Sequence, residues 1–371
     1  MPRVAMVIAR FHPYAVGGAE RQALELSKAL VARGSPVLVV TRLEGGAPAG
    51  ESLGGVEILR LPAGTLAFMI ACVLALLRRR GEIDAIHAHL AGSPALAAAF
   101  AGRLLGKPVV VKLGGGKGIS EVALAKGSIL GRLKLALLRA LRPAFVGVAA
   151  EIAEEARAAG LPVAATIPNG VDLRRYRPAD AEGKGRLRES LGWPSGRIFL
   201  YAGRFAPEKR LDLALRRWAA ARPSAEDLLV LVGEGPEAPA LRRAAGDAPV
   251  LFLSPQEELA ELYRAADVFV LPSVSEGLSN ALLEAMASGS AVLASRVGGT
   301  AETVPPEAGI LFDRDDEAGL EHGFERLIKE SGLAAELGRG ARRVAEGFGI
   351  EKTAERYLAL YRGGETRASP H

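Results

Sequence analysis

Two strings in the second half of the chain combine charge, glycine and hydroxyl groups at spacings that suit an oxyanion ligand. Ser275-Glu276-Gly277-Leu278-Ser279-Asn280-Ala281-Leu282-Leu283-Glu284 follows the apolar run Val268–Leu271 and opens a helical pattern. Ser275 or Ser279 can cap that helix, and Gly277 lets backbone N–H groups come close to a ligand. Such amides, with the helix dipole, form an anion site. Asn280 and Glu284 share a helix face, while Glu276 stands just outside the first turn. Two carboxylates beside a phosphate would repel it unless they bind hydroxyls. The pattern therefore suits a polyol, with a sugar on one side and a ribose on the other. The plainer alternative is that Glu276 complements the dipole and Glu284 faces solvent.

The second string is Gly203-Arg204-Phe205-Ala206-Pro207-Glu208-Lys209-Arg210, between the apolar run Ile198–Ala202 and a helix expected over 208–221. Arg204 can bind phosphate bidentately, and Lys209 adds a point charge. A cation at a helix N-terminus is locally unfavourable, so Lys209 there calls for an anion. Arg210 reads as solvent-facing.

The first half is less explicit. Gly17-Gly18-Ala19-Glu20 follows the first apolar run and opens a helix, but it is not G-x-G-x-x-G, so the dinucleotide fingerprint is missing. The glycine pair permits close approach to a diphosphate or an acceptor, or forms a plain turn. His12, His87 and His89 fall near strand ends, where they could touch an acceptor or move a proton. Structural roles suit His12 and His87 better, and His89 stands between the two readings. No Cys, Asp or Glu lies at ligand spacing beside them, so no metal site is expected. Gly114-Gly115-Gly116-Lys117-Gly118 lacks the Gly-Lys-Ser/Thr ending of a phosphate loop and reads as an active-site loop.

These residues need a frame, and the rhythm of the chain supplies one. Strands are expected over 4–8, 37–41, 85–89, 108–112 and 145–149, with helices over 19–32, 66–80, 94–105 and 129–141. Near-continuous apolar strands separated by helices imply a parallel sheet covered on both faces. The pattern restarts after Asn169-Gly170. Strands follow over 198–202, 228–232, 250–253, 268–271 and 291–294, with helices over 239–245, 257–265, 280–288 and 317–329. A last helix over 351–361 could return to the first domain. The expected fold is α/β, with two doubly wound Rossmann-like domains facing across a cleft. The first spans residues 1–166 with 350–371 packing back on it, and the second spans 167–349. Ligands of such sheets bind at the carboxyl ends of the strands.

The 371 residues are 49% hydrophobic and 24% charged, a globular composition. Cys72, the single cysteine, excludes a disulfide framework and reads as a small buried hydrophobe. Strand-like residues follow Met1 at once, so no secretory leader and a cytoplasmic location are expected. The net charge of +5 is uneven: residues 1–165 hold 20 Lys and Arg against 11 Asp and Glu, and the remainder 27 against 31. The basic first half suits an anionic acceptor or peripheral contact with the inner membrane face. It lacks the aromatic interleaving of a nucleic-acid binder, so no nucleic-acid partner is expected. The apolar helices over 66–80 and 126–142 are edged with Arg and Lys. Membrane docking is conceivable for them, although covering a sheet would account for most of their leucines.

Order and spacing together resemble the retaining glycosyltransferases of family 4, which have the GT-B fold. The resemblance runs through Gly17-Gly18-Ala19-Glu20, His87-Ala88-His89, Ile167-Pro168-Asn169-Gly170-Val171-Asp172, Gly203-Arg204 with Lys209, Ala266-Asp267-Val268, Leu271-Pro272-Ser273, Glu276 with Glu284, and Val297-Gly298-Gly299 with Glu302. It implies a nucleotide-sugar donor, no cofactor, and a glycan, lipid-linked or small-molecule acceptor. Arg204 and Lys209 would hold the diphosphate. Glu276, with backbone groups of Gly277, Leu278 and Ser279, would bind the sugar, and Glu284 the ribose. Residues 254–258 would flank the base. Many relatives carry a histidine after the fourth first-domain strand, where this chain has Leu113-Gly114-Gly115, so a catalytic histidine is not carried over. Epimerase, phosphorylase and non-catalytic binding readings share the same architecture, whereas an NAD-dependent dehydrogenase is disfavoured by the missing fingerprint.

Overall fold

The computed structural model describes residues 1–15, 17–116 and 120–363, which form two compact units. One is Met1–Gly170 with Ile350–His371, and the other is Val171–Gly349. Lys117 and Gly118 of the glycine-rich loop lie outside the described residues.

The first unit holds β1 (Val4–Val7), β2 (Val37–Arg42), β3 (Gly50–Leu53), β4 (Val56–Leu61), β5 (Ala85–His89), β6 (Val109–Leu113), β7 (Ala144–Gly147) and β8 (Val163–Thr166). They form one eight-stranded sheet in the order β3-β4-β2-β1-β5-β6-β7-β8. All pairings are parallel except β3 with β4, an antiparallel edge hairpin that the apolar pattern does not announce. The chain switches direction between β1 and β5, the position at which such sheets open a crevice. Helix Gly18–Ala32 buries Ala23, Leu26 and Leu30, and helix Ile350–Tyr361 packs on it. Cys72 is fully buried, and burial pushes its thiol up to about 12.

The join lies four residues beyond the expected boundary at 166/167, at Gly170. Ile167 N–H still donates to the Gly147 carbonyl at 2.9 Å. The Gln22 amide holds Gly170 by both backbone groups, at 3.1 and 3.3 Å. Those contacts tie 167–170 to the first unit.

The second unit holds β9 (Ile198–Ala202), β10 (Leu228–Val232), β11 (Val250–Leu253), β12 (Val268–Leu271), β13 (Ala291–Ser295) and β14 (Gly309–Phe312). Their order is β11-β10-β9-β12-β13-β14, and every pairing is parallel. Phe199, Trp218 and Phe324 pack ring against ring in the core, with centroids 5.0 to 5.4 Å apart. The switch in direction falls between β9 and β12, the two strands that precede the charged strings.

One largely buried carboxylate fixes the base of that pair of strands. Asp267 accepts from Arg188 at 2.6 Å, Lys184 at 3.0 Å and the Ile198 N–H at 2.9 Å. Burial alone would raise its pKa, but Lys184, Arg188 and the Ile198 N–H hold it below the usual carboxylate range. Asp267→Asn strips both cations of their counter-charge. We expect a loss of about 3 kcal/mol in urea denaturation at neutral pH. The native contribution should be present above the ordinary aspartate pKa and vanish on acidification below it.

Candidate active site

The loops after β9 and β12 lie next to one another because their strands pair. The first loop is shaped by its backbone. Residues Pro207–Lys209 form a 3-10 turn, Arg210 takes a left-handed conformation at φ 52°, and the α-helix begins only at Leu211. The single helix expected over 208–221 is thus broken, and Lys209 stands before the helix rather than in its first turn. Gly233, at φ +144°, supports the loop from β10. A Cβ there would lie 1.9 Å from the Gly203 carbonyl oxygen.

The second loop runs from Pro272 to Ser279 and is pinned at both ends. Val274 N–H donates to the Glu208 carbonyl at 2.9 Å, joining the two loops. Gly299 N–H donates to the Gly277 carbonyl at 2.7 Å, and a Cβ on Gly299 would lie 2.2 Å from that oxygen. Ser279 is the N-cap of helix Asn280–Ala287, its hydroxyl accepting from Leu282 N–H at 3.3 Å. Leu278 is buried beside it, and Glu284 is buried within the helix.

The charged side chains meet across these loops. Lys209 Nζ donates to Glu276 Oε1 at 2.6 Å, and the Ser273 hydroxyl donates to the same oxygen at 2.7 Å. Glu276 is the anion that Lys209 calls for, supplied by the chain itself. Arg204 donates to Glu208 at 2.6 Å, but its side chain is 69% exposed, so its guanidinium is open to a ligand. The Tyr201 hydroxyl donates to the Arg204 carbonyl at 2.9 Å and steadies the turn. Burial raises the Tyr201 phenol well above its ordinary pKa, with Glu276 and Glu208 adding to the effect. Arg204, Lys209, Glu276, Gly277, Leu278, Ser279, Asn280 and Glu284 therefore belong to two adjoining loops and one helix. Ser273 and Glu208 are polar partners to which the sequence alone assigns no role. Ser273 stands three residues before Glu276, which is the signal that could have found it.

The first-unit candidates are placed differently. Gly17 is the N-cap of the first helix, and Gly18 is its first residue. His12 is half-buried, and its carbonyl accepts from Arg60 at 3.2 Å. Gly114 and Gly115, which as part of an active-site loop could contact an acceptor or a sugar, donate their N–H groups to the Glu121 carboxylate at 3.0 and 3.2 Å. The anion held by that loop is the chain's own, six or seven residues downstream. Burial raises the Glu121 pKa against those two hydrogen bonds.

Of the two readings open to His89, its surroundings favour the structural one: it is buried, its ring stacked on His87 at 4.7 Å. His87 Nδ1 meets the Tyr361 hydroxyl, and the Tyr357 ring lies 4.7 Å away. Burial, with Lys112 nearby, pushes His87 down to about 3, and burial drives His89 well below its ordinary value. Both rings are neutral at pH 7, packed among aromatic side chains. Among the described residues, no group of three or more His, Cys, Asp or Glu side chains could hold a metal ion.

A parallel sheet whose charged loops gather at the switch between β9 and β12 is the arrangement of a nucleotide-binding α/β unit. The family model "Glycosyltransferase Family 4" matches residues 16–175, and "Glycosyl transferases group 1" matches residues 196–330. A D-inositol 3-phosphate glycosyltransferase of Xylanimonas cellulosilytica is 30% identical over 409 residues, covering 97% of this chain and 96% of that one. The chain belongs to the family 4 glycosyltransferases. A D-inositol 3-phosphate glycosyltransferase of Salinispora arenicola is 36% identical over 216 residues, 53% of this chain. That match spans about half the relative's length, 48%. An Anabaena HepE structure in complex with UDP-glucose superposes with a TM-score of 0.80 at 19% identity, covering 97% of this chain and 99% of that one. The shared fold is GT-B.

Proposed function

We propose that the chain transfers a sugar from a nucleoside-diphosphate donor to an acceptor hydroxyl, with the anomeric configuration retained. The observation that carries this reading is the Lys209–Glu276 contact, which joins loops 67 residues apart at the carboxyl ends of β9 and β12. Arg204 and Lys209 stabilise the charge that develops on the leaving diphosphate, and such stabilisation is usually the largest single source of rate enhancement. Glu276, oriented by Ser273 and Lys209, accepts from sugar hydroxyls rather than acting as a base. Glu284 reads the ribose. The donor's own phosphate takes the acceptor's proton, so the step asks for no protein base, metal or cofactor. A phosphorylated compound stands in the name of the relatives, and the positive excess of the first unit suits an anionic acceptor. That acceptor is a glycan, a lipid-linked sugar or a small molecule.

Thermal-shift measurements against UDP-, GDP- and ADP-sugars test donor binding. A ligand at 100 times its Kd should stabilise the folded chain by about 2.7 kcal/mol. Proton NMR of the sugar first released by slow donor hydrolysis should then show the donor's anomeric configuration. No shift with any nucleotide sugar, or an inverted first product, would overturn the proposal. Conversion of the donor to an isomeric nucleotide sugar would identify an epimerase instead.

A further inference from the structure

The first unit carries a surface that neither the fold nor the donor site explains. Among the described residues, all thirteen exposed large apolar side chains lie in this unit, and ten of them sit on four helices. Thr65–Arg78 packs on Ser93–Leu105, which packs on Ile129–Leu141, which packs on Glu121–Lys126. Each of the first three turns a stripe outward at helical spacing. Leu66, Ile70 and Leu74 form the first, and Phe100 and Leu104 the second.

The third stripe is the most exposed. Ile129, Leu133 and Leu137 point out, at 86%, 54% and 42% exposure, while Leu135 and Leu138 bury the opposite face. Covering the sheet thus accounts for only one side of these helices. Single exposed leucines are ordinary, but three stripes on adjacent helices mark a docking surface.

Charge selects the occupant. Arg103 lies between Phe100 and Leu104, and Arg132 lies between Ile129 and Leu133; both are exposed. The four helices contain a single acidic residue, Glu121, whose carboxylate turns to the Gly114 and Gly115 N–H groups. Apolar stripes interleaved with cations fit the headgroup and acyl boundary of an anionic bilayer. A second copy of the same face would bring arginine against arginine.

We propose that these helices dock the chain on an anionic membrane surface, with Ile129, Leu133 and Leu137 entering the headgroup region. No helix of the described residues is long and apolar enough to cross a membrane, so the contact is peripheral. Vesicle binding is read without turnover, so it stands or falls separately from the transfer reaction.

The test is flotation of the full chain with vesicles of equimolar phosphatidylglycerol and phosphatidylcholine, beside vesicles of phosphatidylcholine alone. The expected result is binding to the anionic vesicles that weakens in high salt. The triple variant Ile129→Ser, Leu133→Ser, Leu137→Ser should lower it at least tenfold with an unchanged circular dichroism spectrum. Arg103→Glu with Arg132→Glu, which leaves the apolar stripes intact, should do the same. Absence of binding by the wild type, or binding that survives both variants, overturns the proposal. So does a stable dimer in solution that the triple variant converts to monomer, since the occupant would then be a second copy.

Discussion

Arg204→Ala should lower turnover by about 10²–10³, the loss seen when one pre-positioned donor to a developing oxyanion is removed, with the melting temperature almost unchanged. The two halves of that expectation have separate causes. Arg204 is largely exposed and, among the described residues, its ion pair is the local one with Glu208, a surface contact worth at most about 1 kcal/mol. Its work is done on charge that appears as the sugar–phosphate bond breaks, so kcat should fall more than KM rises. Lys209→Ala should match the kinetic loss but also cost stability, because it leaves the buried Glu276 carboxylate with the Ser273 hydroxyl but without its lysine partner. The pair of variants separates charge used in catalysis from charge used in folding. Steady-state kinetics beside thermal denaturation reads both. Near-normal transfer by a folded Arg204→Ala chain would remove Arg204 from the mechanism.

The second unit is the more legible half, for a physical reason. Its strands are short apolar runs buried on both faces and bounded by charged or glycine-rich turns. β9, β10, β11 and β12 begin and end where the sequence places them. Helix Leu333–Ala345 escapes a reading of the sequence because Gly338 and Gly340 argue against a helix. In the fold those glycines let it touch backbone: added Cβ atoms would lie 2.2 Å from the Gly289 oxygen and 1.6 Å from the Glu307 oxygen. Helix Ala181–Leu191 buries no residue, so no apolar stripe betrays it. β4 alternates buried Val56 and Ile58 with exposed Glu57, an edge pattern too brief to stand out beside the buried strands.

At the site, residue types disclose the charges but not their pairing. Lys209 calls for an anion by its position, yet nothing local says that Glu276 provides it. In the first unit, burial decides the chemistry, and burial is set by distant partners. His89 stands between an acceptor contact and a structural role until Tyr357 and Tyr361 arrive from the last helix to close over its neighbour His87. The exposed stripes beside it are hidden by the opposite inference, that leucine on a helix covers a sheet.

Lys112→Met should stabilise the protein at pH 7 by about 1–3 kcal/mol, as replacement of an uncompensated buried charge by an apolar side chain of similar volume often does. Lys112 lies on β6 opposite His89 on β5, is 4% exposed, and its Nζ meets no hydrogen-bond partner among the described residues. Burial pushes it down to about 7. The unfolded chain binds this proton up to the ordinary lysine value of 10.5, whereas the folded chain has released it by then. Because the unfolded state holds more protons across that window, wild-type stability should rise between about pH 7 and pH 10. His87 acts in the same sense lower down. Its folded value near 3 lies below the ordinary 6.5, so stability should fall as the pH drops through that interval. Urea denaturation at a series of pH values reads both slopes. Lys112→Met should abolish the alkaline rise and keep most of the acid fall, since the histidines remain. A variant destabilised at pH 7, with the alkaline slope intact, would show that the amine is paired in the folded protein and that the slope belongs to other groups.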